Sequence, residues 1–346
     1  MSTAKPFSPD ILKGDSSQRV FAGENLTQIA FPLGGIGAGT VCMSGIGGIK
    51  DYSIMNKPDT TAKPDAHETT PSAFAMLHIK EDKATRLVEG PMPVEWIYNQ
   101  GLKGQGYRGG GQEGLPRFRN CTFTGEYPFG TIELSDPDIP LTVHLNAFNP
   151  FIPLDDLNSG IPCAILEYTI KNPTTKKIEF EFSYHISHLA PGISDFTDSC
   201  TRNEVIPGKG VYLYNTDPKD ETTFGSCSLS VINHTPVIKA MWFRGGWFDS
   251  ISALWREVST GSFIENDGKD AEKLNGRNGG SILLKGSLEP GESITYPIVI
   301  TWYFPNINFS VGQAKGSNCC SSENSSCCSG NSKATCWHPY YATRWT

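Results

Sequence analysis

The chain has 346 residues, of which 19% are charged, and its formal net charge is -7 at pH 7. This length allows one large domain or two ordinary ones, and the acidic balance argues against a nucleic-acid partner, which basic patches would bind. The N-terminal sequence lacks the apolar run of a signal peptide, and no apolar stretch reaches membrane-spanning length. We therefore expect a cytoplasmic protein, and peripheral membrane contact is left open.

A glycine-rich stretch runs from Phe31 to Pro58 and reads FPLGGIGAGTVCMSGIGGIKDYSIMNKP. Gly35, Gly37 and Gly39 are spaced like part of a nucleotide-binding loop, but further glycines interrupt the segment that would have to be a helix. No Lys-Ser/Thr pair completes a P-loop either. The stretch favours a glycine-rich β-hairpin in which backbone approaches backbone closely.

Alternation of apolar and polar residues with a period of two dominates the rest of the chain. In the clearest example, 178–188, apolar side chains alternate with Glu179, Glu181, Ser183, His185 and Ser187. This pattern predicts a strand with one face on the core and one face in water. Similar strands are predicted at 73–80, 141–148, 165–171, 227–232 and 282–284, separated by turns rich in Gly and Pro.

These strands predict an all-β fold: a large two-sheet antiparallel β-sandwich with one or two short helices. A helix is predicted at 247–258, where the large apolar residues fall on one helical face. Those residues are Trp247, Ile251, Leu254, Trp255 and Val258. We expect this helix to cover one side of the sandwich.

The ten cysteines divide into two groups. Buried free thiols are expected for those scattered in strand-like sequence, which are Cys42, Cys121, Cys163, Cys200 and Cys227. The others crowd a Ser/Asn/Gly-rich segment at 319–336, which favours a linker, although a zinc site and disulfides stay open as alternatives. Adjacent Cys-Cys pairs differ from the C-x2-C spacing of zinc sites, so we predict no metal and no cofactor.

Several segments resemble the non-lysosomal glucosylceramidase and bile-acid β-glucosidase family, glycoside hydrolase family 116. The resemblance begins with FPLGGIGAGTV and GGIKDYSIMNKP in the glycine-rich stretch. It continues in LTVHLNAFNPFIPLD at 141–155, PCAILEYTIKNPT at 162–174, LEPGESITYPIVITWYFPN at 288–306 and YYATRW at 340–345. The family implies an N-terminal β-sandwich followed by a larger (α/α)6 catalytic barrel.

Glycoside hydrolysis usually needs two carboxyl groups across the scissile bond. The candidates are Asp51, Glu126, Asp155, Asp156, Asp195 and Asp198. Most of them fall in turn-like sequence, and no spacing brings two of them together, so no catalytic residue is assigned. The resemblance implies that the nucleophile Glu and the acid/base Asp lie in the barrel, which this sequence does not include, and the isolated chain is expected to be inactive.

The resemblance and the glycine pattern together give a set of candidates for a substrate wall or a domain interface. These are Gly35, Gly37, Gly39, Asp51, Tyr52 and Asn56, which are expected to meet the barrel together with 340–345. Glycines allow close backbone approach, while the polar and aromatic groups could reach the edge of a sugar site. A capping role for Asp51 and a core position for Tyr52 stay open as alternatives.

The organisation expected from these observations is a tail at 1–16, a β-sandwich at 17–311, and a linker leading into the next domain at 312–346. Two functions are compatible with it. The first is the N-terminal sandwich of a retaining β-glucosidase that acts on β-glucosides such as glucosylceramide, and the second is a freestanding, non-catalytic module that binds carbohydrate or protein. A sandwich made to pack on a barrel should expose a contiguous apolar surface, which a freestanding monomer should not. The sequence leaves the aglycone and the oligomeric state open.

Overall fold

A computed structural model of the chain describes residues 19–55, 72–93, 112, 114–190, 201–243, 250–269, 279–307 and 336–337. Nineteen strands are present in this part of the chain. They are β1 (Val20–Ala22), β2 (Ala30–Leu33), β3 (Thr40–Ser44), β4 (Ile49–Ser53), β5 (Ala73–Ile79), β6 (Ala84–Leu87), β7 (Asn120–Glu126), β8 (Phe129–Asp136), β9 (Ile139–Phe148), β10 (Cys163–Lys171), β11 (Ile178–Ser187), β12 (Thr201–Ile206), β13 (Gly210–Asn215), β14 (Ser226–Val231), β15 (Val237–Lys239), β16 (Gly279–Leu288), β17 (Ser293–Tyr303), β18 (Asn306–Ile307) and β19 (Cys336–Trp337).

Two large antiparallel sheets form the sandwich, as the alternating sequence predicts. The first has nine strands in the order β1-β7-β8-β9-β10-β17-β14-β13-β12, and the second has five in the order β15-β16-β11-β5-β6. A three-stranded sheet, β2-β3-β4, contains the glycine-rich stretch, and β18 pairs with β19. The predicted all-β fold is therefore confirmed.

Two short α-helices accompany the strands in the described residues, α1 at Asp156–Ser159 and α2 at Ser250–Ser259, and a 3-10 helix spans Gly23–Leu26. Helix α2 confirms the helix predicted near this position, and Ile251, Leu254 and Val258 are buried on one face as expected. Trp247, at the predicted start, lies outside the described residues.

The main core lies between the two large sheets and extends beneath β2-β3-β4. Phe180, Phe182, Tyr184 and Ile186 of β11 point into it, which confirms the register read from their alternation. A second, smaller core lies on the opposite face of the five-stranded sheet, where α2 and Trp242 pack against Phe74 and Met76.

The prediction of a water-exposed face for strand β11 is wrong. Glu181, Ser183 and His185 on that face are buried, and only the ends of the strand reach solvent. The reason is the second core, because helix α2 and its neighbours cover this face of the sheet and exclude water from it. Polar residues here serve internal hydrogen bonds instead of solvation.

Candidate functional site

The glycine-rich stretch forms two turns joined by short strands. The first turn, residues 34–39, connects β2 to β3, and the second, residues 45–48, connects β3 to β4. The dinucleotide motif needs a helix directly after the glycines, whereas a strand follows each turn here. The structure therefore agrees with the hairpin interpretation and not with nucleotide binding.

The first turn, called the 34–39 turn below, wraps around the buried indole of Trp302 on β17. The indole N–H donates to the backbone carbonyl of Ala38, with Nε1 and the oxygen 2.6 Å apart. A Cβ added at Gly34 would lie 3.0 Å from the indole ring, and one at Gly39 would lie 3.0 Å from the backbone of Ile54. Both glycines also have positive φ, +122° and +87°, which L side chains resist.

The 34–39 turn is also pressed against the segment that precedes β10. A Cβ added at Gly35 would lie 2.4 Å from the carbonyl oxygen of Ile161, far inside van der Waals contact. The backbone N–H of Ile36 donates to the carbonyl of Ser159, with the nitrogen and oxygen 2.7 Å apart. Trp302 on one side and 159–161 on the other therefore fix the position of the turn.

Gly37 differs from its neighbours in the turn. It has a φ of +72°, and an added Cβ would meet no atom within 4 Å. Of the three candidate glycines, Gly35 and Gly39 are packed against backbone, while Gly37 borders open space. This leaves Gly37 as the position of the turn that another surface could approach.

Asp51 and Tyr52 lie side by side on β4 but in different surroundings. Asp51 is partly exposed and adopts a φ of +57°, unusual for a residue other than glycine, although Asp and Asn adopt it most readily. Tyr52 is buried, and its hydroxyl lies 3.5 Å from the carbonyl oxygen of Ile49. Burial, reinforced by the nearby Glu89 carboxylate, raises the pKa of Tyr52 far above its usual range. Asn56 lies outside the described residues.

Sequence reasoning missed a buried ion pair beside these strands, Glu89 with Arg117. The guanidinium Nε lies 3.0 Å from a carboxylate oxygen, and both side chains are about 95% buried. A Cβ added at Gly48 would lie 3.1 Å from the Glu89 carboxylate, so the second glycine turn leaves room for this charge. The sequence gives little warning of the pair, because the partners are separated by 28 positions with no periodic relation.

Comparison with protein-family models finds one match, over residues 30–346, to the N-terminal domain of glycosyl-hydrolase family 116, described as beta-glucosidase 2. The chain belongs to this family. The match confirms the resemblance carried by the glycine-rich stretch, and it covers the 34–39 turn and every strand of the two large sheets except β1. Comparison of the chain with curated proteins found no match.

Comparison with solved structures gives matches of low TM-score to several kinds of protein. A polysaccharide lyase matches with a TM-score of 0.32 and 11% identity over 68% of this chain and 26% of its own. The Slr1438 protein of Synechocystis sp. PCC 6803 matches with a TM-score of 0.38 and 11% identity, over 80% of this chain and 96% of its own. A GH36 alpha-galactosidase of Geobacillus stearothermophilus matches with a TM-score of 0.34 and 10% identity over 83% of this chain and 41% of its own. The chain thus spans about a quarter of the lyase and less than half of the galactosidase, and similarity at this level assigns no activity.

Apart from Asp51, the acidic candidates in the described part of this family 116 domain lie at the start of a helix or at the end of a strand. Asp155 caps helix α1, because its carboxylate accepts the backbone N–H of Asn158 at 2.9 Å, which holds the pKa of Asp155 below its usual range. Asp156 begins the same helix, and Glu126 ends β7 on the surface. Asp195 and Asp198 lie outside the described residues.

His185 belongs to a buried network that the sequence analysis did not anticipate. Its two ring nitrogens lie 2.8 Å from Ser183 Oγ and 2.7 Å from Ser281 Oγ, and the indole of Trp242 donates to the same Ser281 hydroxyl. Burial, together with the positive charge of Lys239, lowers the pKa of His185 to about 3. The ring is therefore neutral at physiological pH and closed to solvent, so it can orient the two serines but cannot reach a substrate.

The described cysteines are free thiols, as expected for four of the scattered group. Cys121, Cys163 and Cys227 are buried and Cys42 is partly buried, and burial raises the pKa to about 11 for Cys42 and Cys163 and to about 12 for the other two. Within the described ranges no group of three or more His, Cys, Asp or Glu side chains could hold a metal ion. Cys200 and the side chains of the 319–336 cluster lie outside the described residues.

None of the helices in the described residues is both long enough and apolar enough to cross a bilayer.

Proposed function

We propose that this chain is the N-terminal β-sandwich of a retaining β-glucosidase that hydrolyses β-glucosides such as glucosylceramide, and that it supports the catalytic barrel of the longer enzyme. The observation that carries the proposal is the family 116 match, which extends over residues 30–346. A sandwich of this kind contributes by positioning, since the acid and the nucleophile of the reaction belong to the barrel in the family that the sequence resembles. Cytoplasmic location and peripheral membrane contact are part of the proposal.

The 34–39 turn and Asp51 are proposed as the part of the sandwich that borders the glucoside site. The close packing of Gly35 and Gly39 supports this role, because it holds the turn rigid while Gly37 faces open space. Rigid placement of surrounding groups matters in catalysis because small displacements of a bound substrate lower the rate steeply. Asp51 is partly exposed nearby in the same three-stranded sheet and could accept a hydrogen bond from a sugar hydroxyl.

The test uses the longer enzyme, obtained by continuing the reading frame beyond Thr346. Asp51→Ala and Asn56→Ala should each lower turnover of an aryl β-glucoside more than they lower the melting temperature. Asp82→Ala is the matched control, because Asp82 is an exposed carboxylate in the turn between β5 and β6. Full activity in both variants together with lower stability would mean that the two residues are structural, and a reading frame without a catalytic domain would contradict the proposal as a whole.

A second candidate function is a freestanding module that binds carbohydrate. Tyr212 and Tyr214 on β13 favour it, because their rings stack 5.1 Å apart on the outer face of the nine-stranded sheet, and aromatic rings on open sheets can support sugar rings. The Tyr214 hydroxyl donates to a Glu204 oxygen 2.7 Å away, which places a carboxylate beside the pair. Calorimetric binding of a β-glucoside to the 346-residue chain, lost in Tyr212→Ala, would favour this candidate over the first.

A further inference from the structure

One end of the sandwich has a concentration of exposed apolar side chains. Half of the large hydrophobic residues that are exposed within the described ranges lie there. The surface consists of Ile36, Tyr127, Phe151, Ile152, Leu154 and Leu157, and it is called the apolar end surface below. Single exposed apolar residues are ordinary, whereas a contiguous group marks an interaction site.

The residues of the apolar end surface belong to one connected unit. The rings of Tyr127 and Phe151 lie 5.6 Å apart, and the Ser159 hydroxyl bonds both the N–H and the carbonyl of Ile152, at 2.8 and 3.0 Å. The Ser159 carbonyl in turn accepts the N–H of Ile36 from the 34–39 turn. Direct contacts therefore join the three segments that form the surface.

Leu154 is the least favourable residue of this surface for a domain in water. Its side chain is fully exposed and its φ is +68°, in the left-handed region that leucine rarely adopts. Residues in costly backbone conformations cluster at functional sites, and an exposed apolar side chain in such a conformation indicates a binding surface. A polar residue would be favoured at this position if the surface faced only water.

The last long strand of the sandwich, β17, ends at this same end. Strand β17 ends beside the 34–39 turn, because Trp302 near its C-terminal end bonds Ala38 and Thr301 pairs with Cys163 at the start of β10. Asn306 follows β17 directly, and β19 at 336–337 pairs with it. The last long strand of the sandwich therefore ends beside the turn that contributes Ile36 to the apolar end surface.

We infer that the domain that follows the sandwich in the chain, the helical catalytic domain of the family, packs against the apolar end surface. This inference rests on the proposed function and adds to it the surface that makes the contact. Apolar faces of helices in such a domain could pack against this surface. Burial of six large side chains would then provide the core of a stable interface between domains. The 34–39 turn, which contributes Ile36, then lies at the edge of that contact.

The test compares the 346-residue chain with the longer polypeptide that continues into the catalytic domain. Amide hydrogen exchange of residues 127–129 and 151–157 should be at least tenfold slower in the longer polypeptide. The segment around Ile264, an equally exposed apolar residue outside the surface, should exchange at the same rate in both. Equal exchange at 151–157 in the two proteins would overturn the inference and leave the proposed function standing, whereas a longer polypeptide without a catalytic domain would overturn both.

A substitution provides a second measurement. Asparagine tolerates positive φ better than leucine, so Leu154→Asn should leave the melting temperature of the 346-residue chain unchanged or slightly higher. In the longer polypeptide the same change should lower the melting temperature and release the exchange protection of 151–157. Ile264→Asn is the matched control and should cause neither effect in the longer polypeptide. If sedimentation shows that the 346-residue chain forms a dimer, and Leu154→Asn abolishes that dimer, the surface binds a second copy and the inference is wrong.

Discussion

At the scale of single residues, the glycines of the 34–39 turn are distinguished by what lies beside them. Gly35 is needed because the backbone of 160–161 leaves no room for a side chain, whereas Gly37 is needed only for its positive φ. The two requirements have different energetic costs. Overpacking against backbone costs about 1–3 kcal/mol and sometimes more, and a left-handed conformation costs an L residue about 1–2 kcal/mol.

Gly35→Ala should therefore destabilise the chain by about 2 kcal/mol or more, because its Cβ would lie 2.4 Å from a carbonyl oxygen that cannot rotate away. Gly37→Ala should cost about 1 kcal/mol. Gly114→Ala is the control, since its Cβ would meet no atom within 4 Å and its φ is not positive. Urea denaturation measures all three, and equal stability of the Gly35 and Gly114 variants would show that the close contact is not maintained in solution.

The buried imidazole of His185 links stability to pH. Its pKa is about 3 in the folded chain and about 6.5 when unperturbed, so between these values the unfolded chain binds a proton that the folded chain does not. Stability conferred by the neutral ring is therefore complete above pH 6.5 and falls as the pH is lowered toward 3. His78 adds to this dependence with the same sign, because burial lowers its pKa as well.

His185→Gln should flatten this dependence. In the unmodified chain each such histidine steepens the loss of unfolding free energy below pH 6.5 by up to about 1.4 kcal/mol per pH unit. The variant loses the contribution of one ring, while an amide can still hydrogen-bond the neighbouring serines. Urea titrations at pH 7, 6 and 5 give the slope, and an identical slope in both proteins would show that His185 does not titrate differently on unfolding.

At the scale of elements, helix α2 determines the environment of the five-stranded sheet. It buries Ile251, Leu254 and Val258 against the face of the sheet that carries Phe74 and Met76. The side chain of Lys239 on β15 is almost completely buried, and its Nζ lies 3.0 Å from a carboxylate oxygen of Glu257 on the helix. Packing and an ion pair thus join α2 to the sheet, which explains why β11 is buried on both faces.

Leu254→Ala should cost about 2–5 kcal/mol of unfolding free energy, because it leaves a cavity in the second core. Arg256→Ala on the exposed side of the same helix should change stability by less than about 0.5 kcal/mol. Chemical denaturation of both variants tests the comparison. Similar small effects would mean that α2 is loosely attached and that the sheet face beneath it is open to water.

In the whole molecule the two large sheets form the scaffold, and the proposed contact surfaces lie at one end of it. The 34–39 turn, helix α1 and the C-terminal end of β17 meet there through Trp302 and Ser159. Three segments distant in sequence thus meet at one end of the scaffold. A sandwich that supports a second domain would present its contacts in this way, on one connected end.

The 346-residue chain should show no measurable hydrolysis of aryl β-glucosides. The physical reason is that both protonation of the leaving group and nucleophilic attack need positioned carboxyl groups. The described candidates other than Asp51 begin a helix or end a strand instead. The assay uses the purified chain with an aryl β-glucoside, and a β-glucosidase of known activity is the positive control. Turnover by the 346-residue chain that disappears when one of its own acidic residues is changed would contradict this prediction.

The antiparallel sandwich, the positions of several of its strands and the core face of β11 could be predicted from the sequence, because apolar alternation with a period of two is a local property of the chain. The family could also be predicted from the sequence, through the resemblance that begins in the glycine-rich stretch. Helix α2 followed from its own periodicity. These features depend on residues that are close together in sequence, so no knowledge of packing was needed to predict them.

Which residues pack against each element could be known only from the folded chain. Alternation predicted that the second face of β11 is exposed to water. That prediction is wrong because a helix some 65 positions later covers this face, and local alternation cannot reveal it. Other contacts likewise join residues whose separation in sequence gives no periodic signal. They are the Glu89–Arg117 ion pair, the Ser183–His185–Ser281 network and the packing of the 34–39 turn against Trp302. The apolar end surface arises in the same way, because residues near position 36 and residues near 127 and 154 become neighbours only when the sheets are folded.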